Sequence, residues 1–181
     1  MNLVSKIIAN ISSLPARWKG MKFGKNSFIA PGYDWINVGL KGVRLGDTVI
    51  IGRNAWIQTI DHEKTDACIS IGNNTQVGRF VVLSALFEIR IGENCLISYN
   101  VSVYDHDHNI ADLRSPFKAG LTKAEKVVIG DECFIGAHSF ILKGVRLGKH
   151  CAVGANSVVT KSFPSYSVIA GNPAKLIRKL K

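Results

Sequence analysis

The sequence predicts an all-β fold, a parallel solenoid with a short helix at each end and one long loop. Two observations lead to this prediction: a six-residue period along most of the 181 residues, and interruptions of that period at a few places. Ten of the 17 glycines directly follow Val, Ile or Leu, and nine of these ten begin a hexad of aliphatic residue, Gly, two variable residues, a small residue and any residue. A period of six fits neither a helix nor a simple strand alternation, but it fits one short strand and one turn per hexad.

The hexads define the predicted core. The nine clear ones begin at Leu45, Ile51, Ile71, Val77, Ile91, Ile129, Ile135, Leu147 and Val153, and weaker ones at Leu83, Ile97, Ile141 and Val159. We expect these aliphatic residues to point inward, and the small residues of the fifth position to lie where there is little room. Three hexads would make one coil, and stacked coils would pair as parallel strands about 4.8 Å apart. The glycines are expected to permit a turn geometry that a side chain would oppose.

Three of the four cysteines occupy the small-residue position of a hexad: Cys95, Cys133 and Cys151. Cys133 and Cys151 are one coil apart, so we expect them to stack on adjacent coils. No pair has the CxxC spacing of a zinc or thioredoxin-like site. The sequence therefore predicts buried free thiols that act as small apolar residues. The alternative is a Cys133–Cys151 disulfide, which the stacking would permit but which is not expected in a reducing compartment.

The N-terminal segment, residues 1–25, lies outside the period. Its residues Leu3, Val4, Ile7, Ile8, Ile11 and Leu14 recur at helical spacing. This pattern predicts an amphipathic helix that ends before Pro15 and caps the open end of the solenoid, which we place at residues 26–170. The alternative role for this segment is attachment to a membrane surface, aided by the basic residues that follow it.

The longest interruption is the predicted extruded loop, residues 104–126. It opens with Asp105, His106, Asp107 and His108. A histidine at the mouth of a loop, beside carboxylates, suits a general base near neutral pH, and an adjacent carboxylate can hold its tautomer. The alternative is a hydrated turn rich in Asp and His. A shorter polar loop is predicted between Thr59 and Cys68.

The net charge of +10 is unevenly distributed, because residues 1–25 and 133–181 contain no acidic residue. This favours an anionic partner, namely nucleic acid, membrane lipid or a phosphorylated cofactor, although a merely soluble basic surface also fits. Nucleic acid is disfavoured because the aromatic residues are not interleaved with Lys and Arg.

No apolar run reaches the roughly 18 residues of a membrane span. With no signal-type cleavage site near the N-terminus, we expect a cytoplasmic protein, with the inner face of the membrane as its alternative location.

Four runs carry a resemblance to a known family: NVSVYDHDHN, IGDECFIGAHSFILKGVRLG, VGANSVVTK and AGNPAKLIR. Over about residues 38–178 the chain resembles the acyltransferase branch of the hexapeptide-repeat proteins, which includes galactoside, maltose and polysaccharide O-acetyltransferases. The resemblance implies a left-handed parallel β-helix, acetyl-CoA as acyl donor without a metal, a sugar or glycan acceptor, and a homotrimer with its sites between chains. It also implies a short C-terminal helix over residues 171–181, beginning at Asn172-Pro173.

The resemblance also implies roles for individual residues. His106 would be the base that deprotonates the acceptor hydroxyl, with Asp105 orienting it. His108, the fallback base, and Tyr104 would face the acceptor. The residues implied for coenzyme binding are Phe134, Gly136, Ala137, Ala155, Thr160, Lys161, Lys175 and Arg178; among them the Ala137 N–H would face the developing oxyanion, and Lys175 and Arg178 the phosphates.

Two other functions remain open at this stage. A γ-type carbonic anhydrase uses three histidines from two subunits to hold zinc, and the chain offers His62, His106, His108, His138 and His150. A non-catalytic trimeric scaffold with basic ends would need no coenzyme at all.

Overall fold

The computed structural model describes residues 3–60, 67–111 and 115–180. These residues form a parallel β-solenoid whose three sheets follow one another in rotation along the chain. The first sheet contains β1 (Lys22–Phe23), β3 (Val43–Leu45), β6 (Cys68–Ile71), β9 (Glu88–Ile91), β12 (Val127–Ile129) and β15 (Arg146–Leu147). The third sheet contains β5 (Trp56–Thr59), β8 (Val82–Ala85), β11 (Ser102–Tyr104), β14 (Phe140–Ile141) and β17 (Val158–Val159).

The second sheet is the longest. It contains β2 (Phe28–Ile29), β4 (Ile50–Ile51), β7 (Gln76–Val77), β10 (Leu96–Ile97), β13 (Phe134–Ile135), β16 (Ala152–Val153), β18 (Ser167–Gly171) and β19 (Ala174–Lys179). The helices are α1 (Leu3–Trp18) and α2 (Pro116–Ala119). The chain turns from the first sheet to the second at what we call the first corner, from the second to the third at the second corner, and from the third back to the first at the third corner.

The register of the strands confirms the predicted solenoid. β12 pairs with β15 in parallel, so that Ile129 lies beside Leu147 of the next coil. All thirteen aliphatic residues that begin a clear or weak hexad are buried. The core is therefore a stack of Val, Leu and Ile side chains, and burial of that apolar surface is the main favourable contribution to folding.

The hexad glycines are required for a different reason than we expected. A Cβ atom on Gly130 would lie 2.8 Å from the carbonyl carbon of Gly148, one coil further on. The left-handed backbone conformation occurs two residues after the glycine, for example at Glu132 (φ 58°) and His150 (φ 58°). The expectation that glycine serves the turn dihedral is thus wrong for these positions; the close approach of successive coils excludes a side chain.

The small residues of the hexads connect neighbouring coils by hydrogen bonds. The Thr75 hydroxyl donates to the carbonyl of Gly92 (2.7 Å) and accepts from the N–H of Cys95 (3.0 Å). The Ser139 hydroxyl likewise donates to the carbonyl of Gly154 (3.0 Å). These hydroxyls satisfy backbone groups of the corners that no strand pairs, which explains why a polar side chain occupies a buried position.

The cysteines follow the same scheme. The Cys133 thiol donates to the carbonyl of Gly148 (3.2 Å) and its sulfur accepts from the N–H of Cys151 (3.3 Å). All four cysteines are free thiols, and Cys133 and Cys151 stack on adjacent coils as expected. Hydrogen bonding with the thiols of Cys151 and Cys95, together with burial, raises the pKa of Cys133, so this sulfur stays protonated.

Helix α1 covers the open end of the second sheet. Because Phe28 and Ala30 donate their N–H groups to the next coil, the N–H and C=O of Ile29 point to the free edge of β2. The Ser13 hydroxyl accepts from the Ile29 N–H (3.1 Å), and the Ser12 hydroxyl donates to its carbonyl (2.6 Å). The helix therefore acts as the predicted cap. No helix within residues 3–60, 67–111 and 115–180 is long and apolar enough to cross a membrane.

The extent of α1 differs from the expectation. The helix continues through Pro15 and ends at Trp18. Its last turn is held by Tyr33, whose hydroxyl donates to the carbonyl of Ser12 (2.7 Å) and accepts from the N–H of Ala16 (3.1 Å). Burial raises the pKa of Tyr33, which keeps this phenol a donor. These tertiary contacts hold the turn of the helix in which Pro15 has no N–H to donate.

The predicted C-terminal helix is wrong. The chain turns at Gly171 (φ 105°) and a cis Asn172-Pro173 peptide, and returns as the strand β19. β19 pairs antiparallel with β18, with Lys175 opposite Ala170. A helix would leave the outer edge of β18 unpaired, whereas the returning strand satisfies the backbone groups of that edge.

The extruded loop leaves the solenoid at the third corner as a two-stranded ribbon. The N–H of Asn109 donates to the carbonyl of Gly120 (2.9 Å), and the N–H of Thr122 to the carbonyl of Asp107 (2.7 Å). At the base of the ribbon the ammonium of Lys143 contacts the carboxylate of Asp107 (3.2 Å) and the hydroxyl of Thr122 (3.1 Å). The loop is thus anchored to the next coil where it begins and ends.

Candidate functional site

Asp105 is the first residue after β11, and its side chain is fully buried at the third corner. Its two carboxylate oxygens accept hydrogen bonds from the backbone N–H groups of Leu86 and Phe87, each at 2.8 Å. Both donors belong to the preceding coil, at the turn between β8 and β9. The solenoid itself therefore fixes the position of this carboxylate.

His106 lies against Asp105 and is 9% exposed. Its Nδ1 is 2.8 Å from Oδ1 of Asp105. A carboxylate only accepts hydrogen bonds, so the imidazole donates from Nδ1, and the neutral ring then carries its lone pair on Nε2. This is the arrangement in which a carboxylate fixes the tautomer of a general base. The structure thus brings Asp105 and His106 together as the sequence predicts.

The two residues expected to face an acceptor, Tyr104 and His108, lie in different surroundings. Tyr104 stands edge-on to His106, with ring centroids 6.4 Å apart and an interplanar angle of 89°. His108 is exposed and forms an isolated antiparallel bridge with Leu121 in the ribbon. A cavity of about 370 Å³ lies among the ribbon residues that follow His106 in sequence. It is lined by Asp107, His108, Asn109, Ile110, Ala111 and Thr122.

The first group of residues expected to bind coenzyme lies on the second sheet and the second corner. Phe134 is an exposed ring on β13, beside Ala152 of β16. Gly136, Ala137 and Ala155 follow at the second corner, where a Cβ on Gly136 would lie 2.5 Å from the Ala155 nitrogen. This corner and the third corner are at opposite ends of the third sheet. A single chain therefore does not bring these four residues to His106.

The second group lies on the coil that contains Ala155 and on the returning strand β19. Thr160 and Lys161 follow β17 at the third corner, two coils beyond His106, and both are exposed. The Lys161 ammonium is 5.8 Å from the centre of the Phe163 ring. Lys175 and Arg178 are exposed on β19, so the structure places them on a strand rather than on the expected helix.

Among the described residues, the other two histidines, His138 and His150, do not converge on a common point. His138 stands edge-on to Tyr99, with ring centroids 5.0 Å apart. Nδ1 of His150 is 3.1 Å from Oε2 of Glu132, and this hydrogen bond lowers the pKa of the Glu132 carboxyl below its usual value. His62 lies outside the described residues. Within the described ranges, the structure brings no three His, Cys, Asp or Glu side chains together.

Sequence reasoning missed the two backbone donors of the site, the N–H groups of Leu86 and Phe87. Neither side chain has a chemistry that marks the position. The signal available was the coil repeat, because β8 pairs with β11 at an offset of 20 residues, and this offset sets Asp105 beside the turn that holds Leu86 and Phe87. A buried acidic residue at the start of a loop should therefore be compared with the turn one coil earlier.

Comparisons with known proteins give consistent results. Residues 126–161 match a family model described as the hexapeptide repeat of succinyl-transferase. YvoF of Bacillus subtilis (strain 168), which is named as an acetyltransferase, is 31% identical over 132 residues, which cover 72% of this chain and 69% of YvoF. The polysialic acid O-acetyltransferase of Escherichia coli O1:K1 / APEC is 38% identical over 113 residues, 61% of this chain and 36% of that protein. Three further relatives are matched over 45 to 63% of their own length.

A solved structure shares the fold. The N-acyltransferase AntD from Bacillus cereus, solved with dTDP and coenzyme A, aligns with a TM-score of 0.76 and 24% identity. The alignment covers 91% of this chain and 88% of the AntD chain.

Proposed function

The chain belongs to the hexapeptide-repeat acetyltransferase family, and from this premise we propose that it transfers an acetyl group from acetyl-CoA to a hydroxyl of a sugar or glycan. The observation that carries the proposal is the buried Asp105–His106 pair at the mouth of the extruded loop. A neutral imidazole with its tautomer fixed by a carboxylate is suited to removing a proton from a hydroxyl.

The proposed reaction is a direct transfer. Nε2 of His106 removes the hydroxyl proton as the acceptor oxygen attacks the thioester carbonyl carbon. The C–S bond then breaks, and the imidazolium returns the proton to the departing coenzyme sulfur. Asp105 stabilises the imidazolium that exists between the two proton transfers, and the Ala137 N–H donates to the oxyanion in the transition state.

The proposed coenzyme site uses the wall of a neighbouring chain. The exposed face of Phe134 and the second-corner residues Gly136, Ala137 and Ala155 would line the pantetheine arm. Thr160 and Lys161 would reach the adenine end, and the exposed cations of Lys175 and Arg178 the phosphates. Coenzyme A bound to AntD supports the donor class. The separation of these residues from His106 within one chain supports a site shared between chains, in a homotrimer.

The acceptor is proposed to be a sugar of a surface polysaccharide. The cavity lined by the ribbon residues that follow His106 in sequence has room for a sugar ring, and the carboxylate, amide and hydroxyl groups of Asp107, Asn109 and Thr122 are suited to sugar hydroxyls. The O-acetylation of polysialic acid by one relative supports the polysaccharide class. AntD is named an N-acyltransferase, so an amino sugar belongs in the same panel of test acceptors.

The proposal is tested by thiol release from acetyl-CoA with a panel of sugars, nucleotide sugars and amino acids. General-base catalysis is typically worth about 10² to 10⁴ in rate, so His106→Ala should lower turnover by at least about 100-fold. Coenzyme binding, measured by calorimetry, should stay nearly unchanged, because His106 does not hold the coenzyme in this proposal.

His108→Ala is the matched control, since His108 is the exposed histidine two residues further on. We expect it to affect the apparent affinity for the acceptor far more than turnover. If His106→Ala keeps more than a tenth of the parent rate, the assignment of the base is wrong. If the parent protein does not bind acetyl-CoA, the proposed function as a whole is wrong and a scaffold role is favoured.

A further inference from the structure

Helix α1 exposes its apolar side to solvent. Val4, Ile7, Ile8, Ile11, Leu14 and Trp18 recur at intervals of three and four residues, so they share one face of the helix. All six are among the exposed large hydrophobic residues of the chain, from 45% for Leu14 to 81% for Trp18. In a helix that only caps a solenoid, this stripe would face the core.

The opposite face of α1 is the one that packs on the solenoid. It consists of the small residues Ala9, Ser13 and Ala16, all of which are buried. Ser13 also pairs with the free edge of β2, so the helix cannot rotate to bury its apolar stripe without losing this bond. The stripe is therefore a fixed outer surface at the N-terminal end of the solenoid.

The charge around this surface has one sign over a long stretch. No acidic residue precedes Asp34, whereas Arg17, Lys19, Lys22 and Lys25 are all exposed. Arg17 stacks on Phe23, with its guanidinium carbon 4.3 Å from the ring centre, and so stays beside the helix. The carboxylate of Asp34 is engaged by the N–H groups of the loop that follows it.

We propose that the outer face of α1 docks on the surface of an anionic lipid bilayer. The apolar stripe would enter the boundary between headgroups and acyl chains, with Trp18 at the level where tryptophan is favoured. Arg17, Lys19 and Lys22 would contact the lipid phosphates, since each basic residue near such a surface adds to the attraction. The basic residues outnumber the two neighbouring carboxylates, Asp34 and Asp47, and an anionic bilayer supplies the charge complementary to this basic rim.

The experiment is co-sedimentation of the full chain with vesicles. We expect binding to vesicles of phosphatidylcholine mixed with phosphatidylglycerol, and at least about tenfold weaker binding to phosphatidylcholine alone. The double variant Ile7→Ser/Ile11→Ser should lose binding to both, and Lys19→Glu/Lys22→Glu should lower binding to the anionic vesicles by about tenfold or more. Added salt should weaken the binding, because it screens the charges.

Ile177→Ser is the matched control, since Ile177 is 62% exposed on β19, far from α1 along the stack. It should bind vesicles like the parent, and thermal unfolding should show that every variant is folded. Equal binding to neutral and anionic vesicles would overturn the role of the basic rim. No vesicle binding, together with a smaller oligomer for Ile7→Ser/Ile11→Ser in light scattering, would show instead that α1 contacts another copy of the chain. Because binding is measured without turnover, the result does not depend on the proposed reaction.

Discussion

At the scale of single residues, Asp105 makes three contacts that the sequence could only partly predict. Its place beside His106 follows from their adjacency in the sequence, and the two residue types indicate a carboxylate–imidazole pair. The hydrogen bonds from the Leu86 and Phe87 N–H groups depend on how one coil stacks on the next. They were not predictable, because a backbone donor has no side-chain signature.

We expect Asp105→Asn to act mainly on the tautomer of His106. The amide offers one acceptor oxygen and an NH₂ group to three donors, so at least one N–H would lose its partner at a cost of about 1–3 kcal/mol. If the NH₂ group faces Nδ1, the imidazole proton moves to Nε2 and the ring can no longer accept the hydroxyl proton. Turnover should fall by about 100-fold, in line with the loss of a general base.

Nitrogen NMR of the histidine rings distinguishes this role from a purely structural one. In the parent, His106 should show its proton on Nδ1, and in Asp105→Asn on Nε2. A variant that loses activity while keeping the proton on Nδ1 would contradict the positioning role. Asp107→Asn, at the neighbouring exposed carboxylate, is the control and should leave the tautomer unchanged.

At the scale of elements, the periodicity predicted the strands well because inward aliphatic residues and closely packed glycines recur at each coil. The solenoid, the buried hexad starts and the stacked thiols are all confirmed. The predicted C-terminal helix is wrong because the six residues of β19 pair with the open edge of β18. That edge exists only in the assembled sheet, so the sequence pattern does not reveal it. The extent of α1 past Pro15 depends likewise on Tyr33, which is distant in sequence.

The hydrogen bonds that the small hexad residues make between neighbouring coils lead to a prediction about stability. Thr75→Val keeps the size of the side chain but removes the donor to the Gly92 carbonyl and the acceptor for the Cys95 N–H. Leaving buried groups without partners should lower the free energy of unfolding by about 1–3 kcal/mol. Urea unfolding measures the change, which should appear in the midpoint with little change in slope.

Thr75→Ser is the control for this prediction because it keeps the hydroxyl and removes only a methyl group. It should cost less than Thr75→Val. If the valine variant is as stable as the parent and the serine variant is less stable, packing governs this position. The hydrogen bonds of Thr75 then contribute nothing measurable to the free energy of unfolding.

At the scale of the whole molecule, the arrangement of corners governs the proposed assembly. His106 is at the third corner, whereas Phe134, Ala137 and Ala155 are on the second sheet and at the second corner. The solenoid cannot bend to bring these residues to His106, because the backbones of successive coils are in contact at the hexad glycines. A shared site requires a second chain, and the resemblance to trimeric enzymes then predicts a closed three-fold assembly.

We therefore expect a mass of about 59 kDa in light scattering, which is three times the 19.7 kDa of one chain. A sharper test mixes two inactive variants, His106→Ala and Ala155→Trp, by co-expression. If each site takes its histidine and its wall from different chains, about a quarter of the sites in random mixed trimers are intact. Recovery of activity to that level supports the shared site, whereas mixtures as inactive as their parents would exclude it.

The ribbon between Asp107 and Thr122 grows out of one corner and is anchored at its base by Lys143 of the next coil. Its described residues include no strand of the solenoid, so residues can be exchanged, added or deleted in it while the stack beneath stays intact. Because the proposed acceptor site lies in this ribbon, exchanging the ribbon between relatives is expected to change the acceptor while the solenoid beneath it keeps its structure.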